Sequence, residues 1–134
     1  MDFSTDIIIR GYHIDVFGHM NNARYLELME EARWQYIDAT HFQETLTKKN
    51  WGFAVVNVNI NFKKEIYAGD TISFEIEVKR MGNSSMTVEQ RMIRKKTGEL
   101  CAVAEVTFVM LDLANHKPAR ITEEVKLAFT TAKN

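Results

Sequence analysis

Asp15, His19, Asn21 and Asn22 stand close together in the run Tyr12 to Arg33, YHIDVFGHMNNARYLELMEEAR, and between them offer a carboxylate, an imidazole and amide donors. An aspartate exposed to neutral water is ionised, so it can deprotonate a water molecule or attack an acyl carbon itself. Seven residues further on, Asn22 opens a helical pattern. The first N–H groups of a helix have no partner within it and carry partial positive charge, which suits a developing oxyanion. A base or nucleophile beside an oxyanion donor is the minimum for acyl transfer. His13, Asp15 and His19 also fall within seven residues, but their spacing matches neither a common zinc motif nor a helical i, i+4 pair. No metal site is expected, and no cofactor.

The elements that must hold this run can be read from periodicity. At about 100° per residue, Tyr25, Leu26, Leu28, Met29, Ala32, Tyr36 and Ile37 share one sector from Asn22 onward, with Arg24, Glu27, Glu31, Gln35 and Asp38 opposite. That predicts a core-facing helix of about 17 residues. Glu30 and Arg33 interrupt its apolar sector and, three apart, are placed to pair with each other. Upstream, Asp6 to Arg10 is short, β-branched and ended by Gly11, and predicts a strand. A loop is expected from about Thr40 to Asn50.

The period then changes to two. Val56, Val58, Ile60 and Phe62 alternate with Asn57, Asn59, Asn61 and Lys63, and after the turn at Gly69-Asp70, Ile72, Phe74, Ile76 and Val78 alternate with polar residues. Gly82-Asn83 and Thr97-Gly98 punctuate two more strands, about Ser85 to Arg94 and Leu100 to Leu111. The last is almost wholly apolar, which places it mid-sheet or at an interface. Thr122-Glu123-Glu124 opens a short terminal helix with a hydroxyl cap and early acids. The expected class is α+β: an antiparallel sheet, its strands joined by hairpins, wrapped around the one long helix as a single domain over residues 1–134.

Composition narrows the partners. A net charge of -1 gives no global attraction to nucleic acid, and none is expected as a ligand. No apolar run approaches the roughly 18 residues of a membrane span, and MDFSTD lacks the basic and apolar regions of a secretory leader. A cytoplasmic location follows as the expectation, and the single cysteine, Cys101, agrees with it. Cys101 lies in an apolar strand without an activating neighbour, so a packing role is expected.

The run Asp15-Val16-Phe17-Gly18-His19-Met20-Asn21-Asn22-Ala23-Arg24-Tyr25, followed by Glu30, Ala32 and Arg33, resembles the signature of hotdog-fold acyl-CoA thioesterases of the 4-hydroxybenzoyl-CoA type. The segments RGYHIDVFGHMNNARYLE, EEARW, VVNVNINF and TFVMLDL are most similar to the bacterial long-chain acyl-CoA thioesterase III (FadM-type) branch. One position departs: Glu65 stands where many relatives have proline. The resemblance implies hydrolysis of medium- to long-chain fatty acyl-CoA, a site at a subunit boundary, and a homodimer or homotetramer. It further implies Asp15 as general base or nucleophile and the Asn22 amide as the donor that polarises the thioester carbonyl.

Around that pair, His19 either orders the loop or borders the substrate, Tyr25 either packs in the core or forms a pocket wall, and Glu30 either pairs with Arg33 or reaches the site across the boundary. One of the Lys63-Lys64 and Lys95-Lys96 pairs is expected to meet the CoA phosphates. Two other functions remain compatible with the fold: an enoyl-CoA hydratase or dehydratase using Asp15 with His19, and a non-catalytic acyl-CoA binder.

Overall fold

The structure, a computed structural model, describes residues 2–134. Strand β1 (Phe3–Ile8) leads through a 3-10 turn at Gly11–His13 to helix α1 (Asn22–Asp38) and a second helix, α2 (Phe42–Lys49). Strands β2 (Trp51–Phe62), β3 (Thr71–Met81), β4 (Ser85–Arg94) and β5 (Leu100–Asp112) follow, then the short β6 (Lys117–Pro118) and helix α3 (Glu123–Thr130). The long strands form one antiparallel sheet in the order β1-β3-β4-β5-β2, with β6 beside β5. Helix α1 has the expected 17 residues, and it buries Tyr25, Met29, Ala32, Tyr36 and Ile37. The apolar strand β5 lies between β4 and β2, which is why it carries so few polar residues.

Several expectations need correction. Strand β1 begins at Phe3 and ends at Ile8 instead of spanning Asp6 to Arg10. The expected loop at Thr40 to Asn50 is mostly α2: Phe42 and Leu46, four residues apart, are fully buried, and Asn50 ends the helix in the left-handed conformation at φ 56°. Helix α1 therefore does not cover the sheet alone, since Phe42 and Phe129 bring α2 and α3 into the same core. Nor is β2 joined to β3 as a hairpin, because β2 crosses to the far edge and pairs with β5. Strand β2 also breaks its alternation. A bulge between Val55 and Asn57 leaves Val56 out of register, so Phe53 and Val55 share the α1-facing side with Ile60 and Phe62.

Three tethers fix the segment between β1 and α1. His13 is buried, its Nδ1 accepts from the Arg10 N–H at 2.9 Å, and its carbonyl accepts from the Asn21 N–H at 3.1 Å. Ile14 and Met20 form an isolated antiparallel bridge, and the Met20 N–H donates to the Ile66 carbonyl at 2.7 Å. Met20 is fully buried, so the loop is pinned by a core side chain at its base. At the other end of α1, the Tyr36 hydroxyl donates to the Phe129 carbonyl at 2.8 Å and joins α1 to α3.

Two stability predictions follow from these tethers. Tyr36→Phe leaves a buried carbonyl without its donor and is expected to destabilise the fold by about 1–3 kcal/mol, read as a lower urea midpoint with an unchanged slope. Burial holds the His13 imidazole below its ordinary value of 6.5, with the Arg24 charge acting in the same direction. The unfolded chain then takes up that proton first, so stability is complete above about pH 6.5 and declines as pH falls through the folded-state value. His13→Gln is expected to flatten the melting-temperature profile between about pH 6.5 and 5, a window above the titration of carboxylates.

Candidate active site

The loop Ile14 to Met20 is a tight turn whose shape is set by its own carboxylate. Asp15 Oδ1 accepts from the Phe17 N–H at 2.9 Å, and the Asp15 carbonyl accepts from the Gly18 N–H at 3.1 Å. Gly18 has φ 87°, a conformation that a residue with a Cβ adopts at a cost. Asp15 Oδ2 lies 3.4 Å from Asn21 Nδ2, which donates to it. Asp15 is therefore tied to the residue that caps α1.

Asn21, not Asn22, is that cap. Its Oδ1 accepts from the Ala23 N–H and its carbonyl from the Arg24 N–H, both at 2.9 Å. Among the described residues nothing accepts from the Asn22 N–H. One exposed main-chain donor thus remains at the positive end of a 17-residue helix, next in sequence to the amide that holds the Asp15 carboxylate.

Two clefts flank this helix start. Asp15 lines one of about 370 Å³ with Tyr12, His13, Asn21 and Arg24. Asn22 lines the other, of about 150 Å³, with His19, Tyr25, Phe62, Lys63 and Lys64. The boundary between them is the cap itself. His19 approaches Glu65 at 3.9 Å, and Glu65 also accepts from the Tyr67 hydroxyl at 2.6 Å, so Glu65 orders this wall. His19 lines the Asn22 cleft and Asp15 the other, while the Asp15 N–H donates to the His19 carbonyl at 3.2 Å across the loop.

Tyr25 is both core and wall: it is buried, its ring meets Phe62 edge-on with centroids 4.9 Å apart, and its hydroxyl donates to the Lys64 carbonyl at 3.4 Å. Burial pushes its phenol up to about 12, so it stays a neutral donor. Glu30 lies further along α1, in a groove of about 200 Å³ with Arg33, Trp34, Phe53 and Val55. The expected Glu30–Arg33 pair is absent. Glu30 accepts from the Trp34 indole N–H at 3.4 Å, whereas Arg33 Nη1 donates to Gln90 Oε1 at 2.9 Å. Gln90, fully buried on β4, is the polar residue that sequence reading missed. It shares the inward face of β4 with Val88 and Met92, but nothing local indicates that its partner is on α1. Among the described residues no cluster of His, Cys, Asp and Glu is placed to hold a metal. Burial pushes the Cys101 thiol up, in keeping with packing rather than reactivity.

Comparison with known proteins places these features in a family. The long-chain acyl-CoA thioesterase FadM of Escherichia coli K12 is 35% identical over 122 residues, covering 91% of this chain and 92% of that protein. The acyl-CoA thioesterase YbgC of Haemophilus influenzae is 29% identical over 129 residues, covering 95% of this chain and 93% of the relative. Among solved structures, the probable thioesterase YbaW from Escherichia coli superposes with a TM-score of 0.87 at 35% identity, covering 92% of each chain, and the shared architecture is the hotdog fold. The model of the thioesterase-like superfamily matches residues 9–129, which include the Asp15 loop, all of α1 and strands β2 to β6, and the chain belongs to that superfamily.

Proposed function

We propose that this chain is a single hotdog domain, residues 1–134, that hydrolyses medium- to long-chain fatty acyl-CoA to fatty acid and CoA in the cytoplasm. The observation that carries the reading is the unpartnered Asn22 N–H at the start of a helix whose cap, Asn21, holds the Asp15 carboxylate. In this reading the thioester carbonyl oxygen accepts from the Asn22 N–H, which stabilises the negative charge as the carbonyl carbon becomes tetrahedral. Asp15 either takes the proton of an attacking water or attacks the carbon to give an anhydride that water then opens. In both routes a C–O bond forms, the C–S bond breaks, and a proton reaches the departing CoA thiolate.

Lys63 and Lys64 lie in the Asn22 cleft and form no ion pair among the described residues, which favours them over Lys95-Lys96 as the contact for the CoA phosphates. Lys95 is engaged with Asp6. His19 and Tyr25 border the carbonyl end of the substrate, and Glu30 faces the groove that leads away from it. The relative FadM, named for long-chain acyl-CoA, supports the chain-length preference.

A second copy of the chain completes the site. Strand β2 is the edge of the sheet, and it exposes Val55, Val58 and Phe62 beside Leu26 and Trp34 of α1. An unpaired edge with an apolar flank is a surface that pairs with another strand. A homodimer, or a tetramer built from dimers, covers it.

Asp15→Asn retains an oxygen for the Phe17 N–H while removing the charge. It is expected to lower kcat for palmitoyl- or oleoyl-CoA by about 10²–10⁴-fold with little change in KM, measured by thiol release. Undiminished turnover would sink the reading. Val58→Lys places a charge on the β2 edge and is expected to reduce the mass seen by light scattering to the 15.5 kDa of one chain, with loss of activity. A native protein that already runs at that mass would contradict the shared-site arrangement.

A further inference from the structure

Arg33 is a cation that the hydrolytic step does not use. It sits half-buried on α1, and among the described residues no carboxylate forms an ion pair with it. Burial depresses its basicity, and the field of Glu30 only partly opposes this. One N–H of its fork is committed to Gln90, whose own Nε2 donates to the Met29 carbonyl at 2.9 Å, so the guanidinium is anchored by a neutral, fully buried side chain. Apart from that anchor, its surroundings are apolar except for Glu30, which lines the same open groove and makes no ion pair with it. Arg33 lines a narrow slot with Ile76, Val88 and Phe108, and it lines the open groove with Trp34, Phe53 and Val55. A half-buried charge without a direct ion pair carries a desolvation cost, and an apolar side chain of similar volume would remove it.

Arg33 and Asn22 line two separate clefts along the same α1–β2 seam. Strand β2 runs alongside α1, with Phe62 against Tyr25 near the start of the helix and Phe53 against Trp34 near Arg33, at centroid distances of 4.9 and 6.0 Å. Val55 and Val58 of β2, each 42% exposed, and Leu26 of α1, 44% exposed, lie between these two contacts. From Asn22 to Arg33 is eleven residues of helix, or about 16 Å at 1.5 Å per residue, the reach of a long acyl chain. A chain whose carbonyl meets the Asn22 N–H and whose tail follows this apolar wall ends at the guanidinium.

We propose that Arg33 is a specificity-determining residue that receives an oxygen acceptor, in the strongest case a carboxylate, on the far end of the acyl chain. The inference rests on the thioesterase reading and deepens it by naming the acyl class. A plain hydrocarbon tail of the same length would strip water from the free N–H donors of Arg33 and return nothing. Sites built to bond an oxygen discriminate strongly against the analogue that lacks it. A terminal carboxylate instead meets the remaining fork in a charge-assisted, two-point contact.

The test is steady-state thiol release by the native protein from tetradecanoyl-CoA and from tetradecanedioyl-CoA, which differ only in the terminal carboxylate. The expected result is a kcat/KM about tenfold or more higher for the dioic substrate, carried by KM, the size of one unmatched hydrogen-bonding group. Arg33→Met keeps the stem and removes the charge, and it is expected to reverse the order of the two substrates. Arg33→Lys keeps charge without the fork and is expected to retain part of the preference. It also serves as the deciding variant should Arg33→Met fail to fold. Equal efficiency on both substrates in the native protein overturns the proposal. So does an Arg33→Met variant that lowers both in proportion, the mark of a side chain that only packs or holds two copies together. Thiol release from neither substrate removes the thioesterase reading, and this role with it.

Discussion

The site depends on a helix that is buried along its length and yet presents one unsatisfied donor at its start. Capping normally removes such donors, because an orphan N–H costs free energy when water is kept away. Here Asn21 satisfies the Ala23 and Arg24 N–H groups and leaves that of Asn22. The same side chain turns its Nδ2 toward Asp15. A single asparagine therefore stabilises the helix, selects which donor stays free, and holds the carboxylate near it. The tethers behind it serve this arrangement: Met20 in the core, the Ile66 carbonyl and the buried His13 prevent the loop from sliding relative to α1.

The parts of this arrangement legible in the sequence were those encoded locally. The 3.6 period of α1, the turn residues around Asp15 and the near-continuous apolar run of β5 each reflect the environment of a few neighbours, and helix length, loop and mid-sheet position follow from them. Helix α2 was hidden because its buried face is only Phe42 and Leu46, too short a period to separate from a loop. The bulge at Val56 adds one residue to an alternation that otherwise reads as unbroken, and the crossing of β2 to the far edge depends on which strand wins a long-range pairing. For the same reason the expected Glu30–Arg33 pair failed. Spacing of three brings two side chains near each other, but a buried glutamine on β4, 57 residues away, was the better-placed acceptor for Arg33.

How the charges are distributed separates scaffold from site. Arg91 on β4 engages Glu75 and Glu77 of β3 and Glu89 of its own strand, and these carboxylates hold its guanidinium well above the usual range. Arg94 joins Asp70 and Glu99 and also donates to the Glu65 carbonyl at 2.8 Å, fastening the β4–β5 turn to the segment that leads into β3. These arginines are fully matched by groups of their own chain, and exposed networks of this kind add little beyond local order. Lys63, Lys64 and Arg33 have no such matches among the described residues.

That contrast bears on what a ligand must look like. The lysines line the cleft at the start of α1, where water can hydrate them at small cost, so their lack of counter-ions asks only for an anion that visits. Arg33 lies further along α1, half-buried against aromatic and aliphatic walls with Glu30 in the same groove, where the same lack costs more than it does for the lysines. A molecule that satisfies both ends while filling the space between is anionic at its outer end, apolar through its middle and oxygenated at its tail. The unpartnered Asn22 N–H shares the cleft of the lysines, so in the proposed reading the bond to be cut lies where the anionic portion joins the apolar one.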